Sequence, residues 1–297
     1  MSVDFSTLAK PDMIEVLNYE TILESRKQAL IARFYGQEQD NIRAILSRES
    51  EPLTKFVEEN AYRELILRNR INTVARSCLL AYATGSDLDH IAANFNVIRL
   101  LISPATEDSP AVYESDEVFR SRVQRAFDRL SVAGPEAAYQ YHALSADGRV
   151  ADVAVTSPSP AVVNIAILQT DSETGEASDE LVNIVANAVN AENVRPIADR
   201  VSVQSAQIHR YRIEAKLYID KDPEATTVLA TATAKTQAYT HAKNRIGRSV
   251  RLTAIHHCLH IDGVARIELI EPKADISINA LQAAYCESIN ITIGGIE

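Results

Sequence analysis

The chain is poor in cysteine and spaces what it has far apart: Cys78, Cys258 and Cys286 are odd in number and form no CxxC pair. A disulfide framework and a thiolate zinc knuckle are thereby disfavoured, and the pattern suits a reducing cytosol. No stretch approaches the ~18 apolar residues of a spanning helix, and the start, Met1-Ser-Val-Asp-Phe-Ser-Thr, lacks the basic and apolar segments of a signal peptide. The expectation is cytoplasmic synthesis without membrane insertion. The nine glycines form neither GxGxxG nor GxxxxGK followed by Ser or Thr, and no GxSxG elbow occurs. Dinucleotide binding, nucleotide hydrolysis and an elbow-type nucleophile lose their usual sequence support. Basic residues are in deficit, 30 against 40 acids, for a net charge of -10. An acidic chain would need a strong local basic patch to bind nucleic acid, so direct nucleic-acid binding is not expected.

What is present is apolar surface. The 297 residues are 46% hydrophobic and 24% charged, enough to bury two or three cores without staples. Residues 1–20, with Pro11 and scattered acids, read as an extended arm, and helical signals dominate residues 21–102. Ser50-Glu51-Pro52 opens a helix in which Leu53, Val57, Ala61, Leu65, Arg68, Ile71, Ala75, Cys78, Leu79 and Tyr82 recur every three or four residues up to Gly85. That predicts one helix of about 30 residues, roughly 45 Å at 1.5 Å per residue. Leu67 and Val74 widen its stripe beyond a single seam, so the helix calls for partners outside its own half. Leu53, Val57, Leu65, Ile71 and Leu79 are the candidate interface residues. A shorter helix capped at Ser86 and a strand at 97–102 follow, and Ser103 to Glu117, with two prolines and five acids, reads as a linker.

The remainder reads as two small α+β domains, each a sheet with helices on one face, over 103–206 and 207–297. In the first, Glu114, Asp116 and Glu117 lead a helix reaching Leu130, with Arg122, Arg125 and Arg129 along a solvated or ion-pairing face. After Gly134-Pro135 come a helix through Tyr139 and Leu144, strands 150–156 and 161–169, a helix capped by Ser178 and a strand at 200–205. In the second, a strand at 208–220 turns at Asp222-Pro223 into an Ala/Thr helix reaching Ile246. A helix at 249–262 and strands at 264–270 and 287–293 complete it.

Only one cluster suggests chemistry. His256 and His260 are four apart in His256-His257-Cys258-Leu259-His260, as zinc ligands on one helix face can be. The glutamate that a metallopeptidase needs between them as general base is missing. The expectation is therefore that the histidines flank a stripe of Leu252, Ile255 and Leu259, with no catalytic residues, no metal and no cofactor; a metal-dependent hydrolase using His256 and His260 is the alternative, and an unrelated bacterial scaffold protein the other.

Several segments together resemble one family. They are Glu51-Pro-Leu-Thr-Lys-Phe, Glu59-Asn-Ala-Tyr-Arg-Glu-Leu, Ala81-Tyr-Ala-Thr-Gly-Ser-Asp-Leu-Asp-His-Ile-Ala-Ala, Asp116-Glu-Val-Phe-Arg-Ser-Arg-Val, Leu130-Ser-Val-Ala-Gly-Pro-Glu-Ala-Ala-Tyr, Val150-Ala-Asp-Val-Ala-Val and Val194-Arg-Pro-Ile-Ala-Asp-Arg-Val-Ser-Val. In order and spacing, over residues 10–206 and more weakly beyond, they resemble the baseplate J family of contractile-tailed phages and R-type tailocins. Relatives often have glycine where this chain has Ala161. The resemblance implies a structural wedge subunit of the virion tail baseplate or of a tailocin particle, assembled in a bacterial host. It implies a second copy and a smaller baseplate I-like wedge protein as bundle partners, with sheath-initiator, hub and tail-fibre components around them. It also implies wedge-to-wedge contacts that close a ring, which is the expected role of 207–297. The mechanism implied is mechanical: receptor engagement rearranges the ring and releases sheath contraction.

Overall fold

A computed structural model describes residues 5–9, 11–131, 133–220 and 225–296. The Asp222-Pro223 turn and residues 1–4 and 10 of the arm lie outside them. The chain divides into two compact units, Met1–Ile98 and Arg99–Glu297. It is α+β, with all described strands in the second unit.

In the first unit, helices α1 (Tyr19–Ile31), α2 (Gly36–Leu46), α3 (Pro52–Ser77) and α4 (Gly85–Ala93) follow a short 3-10 turn at Phe5–Thr7. Local chemistry sets their starts. The Asn18 side chain caps α1 by accepting from the Thr21 amide, and Pro52 sits in the first turn of α3, where its missing N–H costs nothing. Ile22, Leu23, Ile31, Leu46, Val57 and Ala61 form the core among α1, α2 and α3. The arm is held to α3 at Glu15, whose backbone meets Asn72 and whose carboxylate accepts from Arg68 at 3.1 Å. Asn72, 4% exposed, donates to the Glu15 carbonyl at 2.9 Å and accepts from the Glu15 amide at 3.0 Å. Beside it, Arg26 and Arg68 both reach the Glu64 carboxylate; the Arg26 hydrogen bond is the main reason its pKa lies below the ordinary glutamate range.

The long helix is shorter than its periodicity predicts. α3 has 26 residues, about 39 Å, and ends at Ser77; Cys78 caps it and the chain turns through Leu79–Ala83. Of the stripe residues beyond the helix, Leu79 is half-buried and Cys78 and Tyr82 are exposed, while Ala83 in the same turn is buried. Gly85, at φ +53°, opens α4 rather than closing α3. The expected Ser86 cap is one such displacement: Thr84 occupies the N-cap position of α4.

The second unit begins with a ribbon of β1 (Leu101–Ser103) and β2 (Val112–Tyr113), paired Leu101 to Tyr113 and Ser103 to Val112. The expected linker at 103–117 is thus partly structured, and the expected strand at 97–102 starts only at Leu101. Helix α5 (Asp116–Gln124) is capped by Ser115, and a 3-10 turn at Asp128–Leu130 replaces its predicted last turn. Then come α6 (Glu136–Leu144), β3 (Val150–Ser159), β4 (Val162–Gln169), α7 (Asp179–Val189) and β5 (Arg200–Ser205). Their sheet has the order β3-β4-β5, antiparallel then parallel. Tyr139 of α6 and Leu181, Val185 and Val189 of α7 pack on Ile165 and Ile167. Each such side chain removed from water contributes about 1.5–3 kcal/mol.

Only Ala206 separates β5 from β6 (Gln207–Ile219), the central strand of the second sheet, ordered β7-β6-β8. α8 (Ala225–Lys243) and α9 (Leu252–Leu259) cover one face, where Ile213, Leu217, Val228, Ala232, Ile255 and Leu259 are buried. β7 (Val264–Glu271) runs antiparallel to β6, and β8 (Gln282–Ile296) parallel to it. Both helices are shorter than predicted. α8 stops at Lys243, and α9 is confined to eight residues because the Leu252 amide is held by Asp275 and the chain leaves helical geometry at His260.

The hairpin between β3 and β4 turns on Pro160-Ala161, with Ser159 paired to Val162 and Ala161 at φ +62°. A Cβ in that conformation costs roughly 1–2 kcal/mol, while glycine adds unfolded-state entropy that offsets part of it. Ala161→Gly is expected to raise stability by about 0.5–1 kcal/mol. Urea unfolding checks this; a lower midpoint would mean the turn carries no strain.

Candidate assembly interface

The helix α3 has two apolar faces. One, through Thr54, Val57, Ala61 and Asn72, is buried within its own unit. Thr54 can sit there because its hydroxyl donates to the Ile45 carbonyl at 3.2 Å. The other runs along Phe56, Leu67, Ile71 and Val74, which are 64, 64, 63 and 51% exposed. At 100° per residue these four fall within about 60° of one another. Tyr62 and Ile66 extend the apolar surface toward the next face at 56 and 51% exposure. Asn60 and Arg63 separate Phe56 from the rest on this face, whereas Leu67, Ile71 and Val74 adjoin; surface hydrophobics scattered singly are ordinary, but a contiguous stripe along a helix marks a contact surface.

The five candidate residues divide between these faces. Val57 is buried, and Leu53 and Leu65 are half-buried against the same internal core. Leu79 lies half-buried in the turn after the helix. Ile71 alone belongs to the exposed seam. The periodic stripe thus mixes residues that hold the unit together with one that faces out. Leu67 and Val74, which broaden the stripe in sequence, lie on the exposed seam. Phe56 is about 100° from Val57 and outside the periodic stripe.

The basic stripe of α5 is also divided. Arg122 is 5% exposed and pairs with Glu114, 4% exposed: Nε donates to Oε2 at 3.2 Å, and Nη2 contacts Oε1. Glu114 also accepts from the Leu100 amide at 2.9 Å, and Arg122 reaches the Ser145 hydroxyl at 3.4 Å. Arg99 and Arg122 both stack on Phe119, at 4.6 and 5.6 Å from the ring centre. Of the solvated and ion-pairing readings of this face, Arg122 departs from the first: it turns inward to pair with a buried carboxylate, whereas Arg125 and Arg129 remain half-buried.

His256 and His257 are on α9, and His260 is its C-cap, its amide donating to the His256 carbonyl at 2.8 Å. All three are exposed, while Ile255 and Leu259 fill the core beneath. Among the described residues, no group of three or more His, Cys, Asp or Glu is placed to hold a metal ion. Burial raises the pKa of the Cys258 and Cys286 thiols, the opposite of an activated nucleophile. Burial likewise raises the Tyr139 phenol, aided by its 2.8 Å hydrogen bond to Asp199, so it stays a proton donor fixing α6 to the approach to β5. Among the described residues no helix is long and apolar enough to cross a membrane.

Two family models match the chain: the Baseplate J-like N-terminal domain over residues 49–106 and the Baseplate J-like central domain over residues 131–205. Baseplate protein J of Escherichia phage P2 is 50% identical over 297 residues, covering 99% of this chain and 98% of that protein. A chain of the anti-feeding prophage baseplate, solved by cryo-electron microscopy, aligns with 12% identity and a TM-score of 0.40. The alignment covers 60% of this chain and 44% of that one, and is too loose to establish a shared fold.

Proposed function

The chain belongs to the baseplate J family, and from that premise we propose that it is a wedge subunit without catalytic activity. It is a structural component of the tail baseplate of a contractile phage or tail-like particle. The observation that carries the finer reading is the second apolar seam of α3, through Phe56, Leu67, Ile71 and Val74, which its own unit leaves exposed. A helix with two such faces, their centres about 120° apart, is fully satisfied only inside a bundle, and the cover is a helix from a second copy or from a smaller wedge partner.

On this reading the arm at 1–20 and the helical region at 21–102 build the shared bundle, 103–206 is a central domain, and 207–297 makes the ring contact between wedges. Sheath-initiator, hub and fibre components surround that ring. Its work is a change between two interface arrangements that releases the sheath, with no bond made or broken.

The test that separates this from a metal-dependent hydrolase is complementation of a phage lacking the chain with a His256→Ala, His260→Ala variant. Both imidazoles are exposed, so the fold should tolerate their loss. Full yield of assembled, contractile tails is the expected result. Loss of assembly together with a stoichiometric zinc ion on the unmutated protein would establish the hydrolase reading instead.

A further inference from the structure

The strand β4 reads Val162-Val-Asn-Ile-Ala-Ile-Leu168, a nearly unbroken apolar run of the kind carried by sheets buried on both faces. Ile165 and Ile167 fill one face, beneath α6 and α7. Ala166 and Leu168 point the other way and are 0 and 1% exposed, and what covers them comes largely from residue 206 onward. Ala206, Ile208, Ile246, Leu281 and Ala283 pack with them and with Ala151 in a core that belongs to neither sheet alone. Three of its four buried side chains are alanines, so the two backbones approach closely.

The backbone crosses this joint without slack. Ala206 alone lies between β5 and β6; its amide donates to the Ile167 carbonyl at 2.9 Å in the first sheet, and the next amide, Gln207, donates to the Leu281 carbonyl at 3.0 Å beside the second. The turn after α8 makes a second crossing. Ile246 bridges to Ala283, the Gly247 amide donates to the Gln282 carbonyl at 2.8 Å, and the Ile246 amide donates to the Asp152 carboxylate at 2.9 Å. Asp152 stands opposite Leu168 in the β3-β4 register, on the joint face, with Arg245 at 3.9 Å from its carboxylate and donating to the Ala151 carbonyl at 3.3 Å. Residues 94 apart in the chain are thus tied by a charge-assisted hydrogen bond at a side chain only 25% exposed.

We propose that 103–206 and 207–297 form one mechanical unit, in which the joint at Ala166, Ala206, Ala283 and Asp152 passes a displacement of either sheet to the other without a hinge. A hinge needs a few residues free to change φ and ψ, and here the connecting residue is hydrogen-bonded and 3% exposed. Domains that move independently meet through polar surface, whereas this contact is an alanine core closed by a partly buried carboxylate. The consequence is a lever: a shift imposed on 207–297 carries the central domain with it, leaving no point of flexure between the two sheets. This deepens the ring contact proposed above and rests on that reading only for what imposes the shift.

Two measurements on the full chain test this. With Cys78, Cys258 and Cys286 replaced by serine, spin labels at the exposed positions Asn187 of α7 and His257 of α9 should give one narrow distance distribution; a broad or two-component distribution would overturn the proposal. Native-state amide exchange reads the energetic coupling. The slowest amides of β4 and of β6 should share one opening, and Asp152→Ala should speed both by the same factor, about tenfold. If that variant does not fold, Asp152→Asn keeps an acceptor for the Ile246 amide and should speed both by a smaller common factor. Faster exchange in one sheet only, or in neither, would show that the joint does not couple them. Neither readout involves another copy, so both stand if the ring assignment is wrong; that assignment fails separately, if a particle map places 207–297 away from neighbouring wedges.

Discussion

Replacing Arg122 with alanine should destabilise the second unit by about 3–5 kcal/mol, because it strands the Glu114 carboxylate in a buried site. Both partners are at most 5% exposed, and after the substitution Glu114 keeps a hydrogen bond from the Leu100 amide but has lost both guanidinium contacts. A carboxylate taken from water costs several kcal/mol without its partner, and one amide does not replace a guanidinium. The double substitution Arg122→Met with Glu114→Leu removes both charges and should cost much less than either partner's loss alone. Arg210→Ala sets the scale. Its ion pair with Glu287 is about half exposed on each side, so its loss should cost under about 1 kcal/mol. Urea unfolding of the four proteins decides the matter: if Arg122→Ala behaved like Arg210→Ala, the buried pair would not be a structural anchor.

That pair also shows where sequence reasoning loses sight of the fold. An acid just before a helix is ordinarily read as a dipole partner, and Glu114 differs only in what surrounds it: the Leu100 amide just before β1 and Arg122 two turns on. Such a contact depends on how the β1-β2 ribbon folds back, which no local pattern encodes. Where local signals agree with tertiary demand, the elements are legible. Ser178 with acids at 179 and 180 and valines at helical spacing yields α7, and alternation yields β5 and most of β6. β8 begins five residues earlier than β-branched content indicates, since Ala283 and Ala284 are in the strand because the sheet junction buries them. The end of α3 is the converse. Apolar residues continue at helical spacing into the turn after Ser77, where Cys78 and Tyr82 are exposed, so spacing alone does not mark where the helix ends.

The same distinction governs the second prediction. Leu65 packs on the internal core, so charging it would damage the unit itself. Leu67 and Ile71 are 64 and 63% exposed, so Leu67→Asp with Ile71→Asp should leave the melting temperature of the isolated chain within a few degrees of its original value. In a wedge the same two aspartates would be buried without partners, at a cost of several kcal/mol in association. Co-purification with the smaller wedge protein should fall below detection, and complementation of tail assembly should fail. Retained co-purification would exclude this seam from the bundle even if the wedge assignment stood.

The central claim is that α3 is a bundle helix whose second face is covered only in the assembled baseplate. Cryo-electron microscopy of the native particle, at a resolution that shows side chains, measures this most directly. The account predicts that Phe56, Leu67, Ile71 and Val74 are buried against helices of other chains around the hub. A map in which that seam faces solvent in every copy would contradict it.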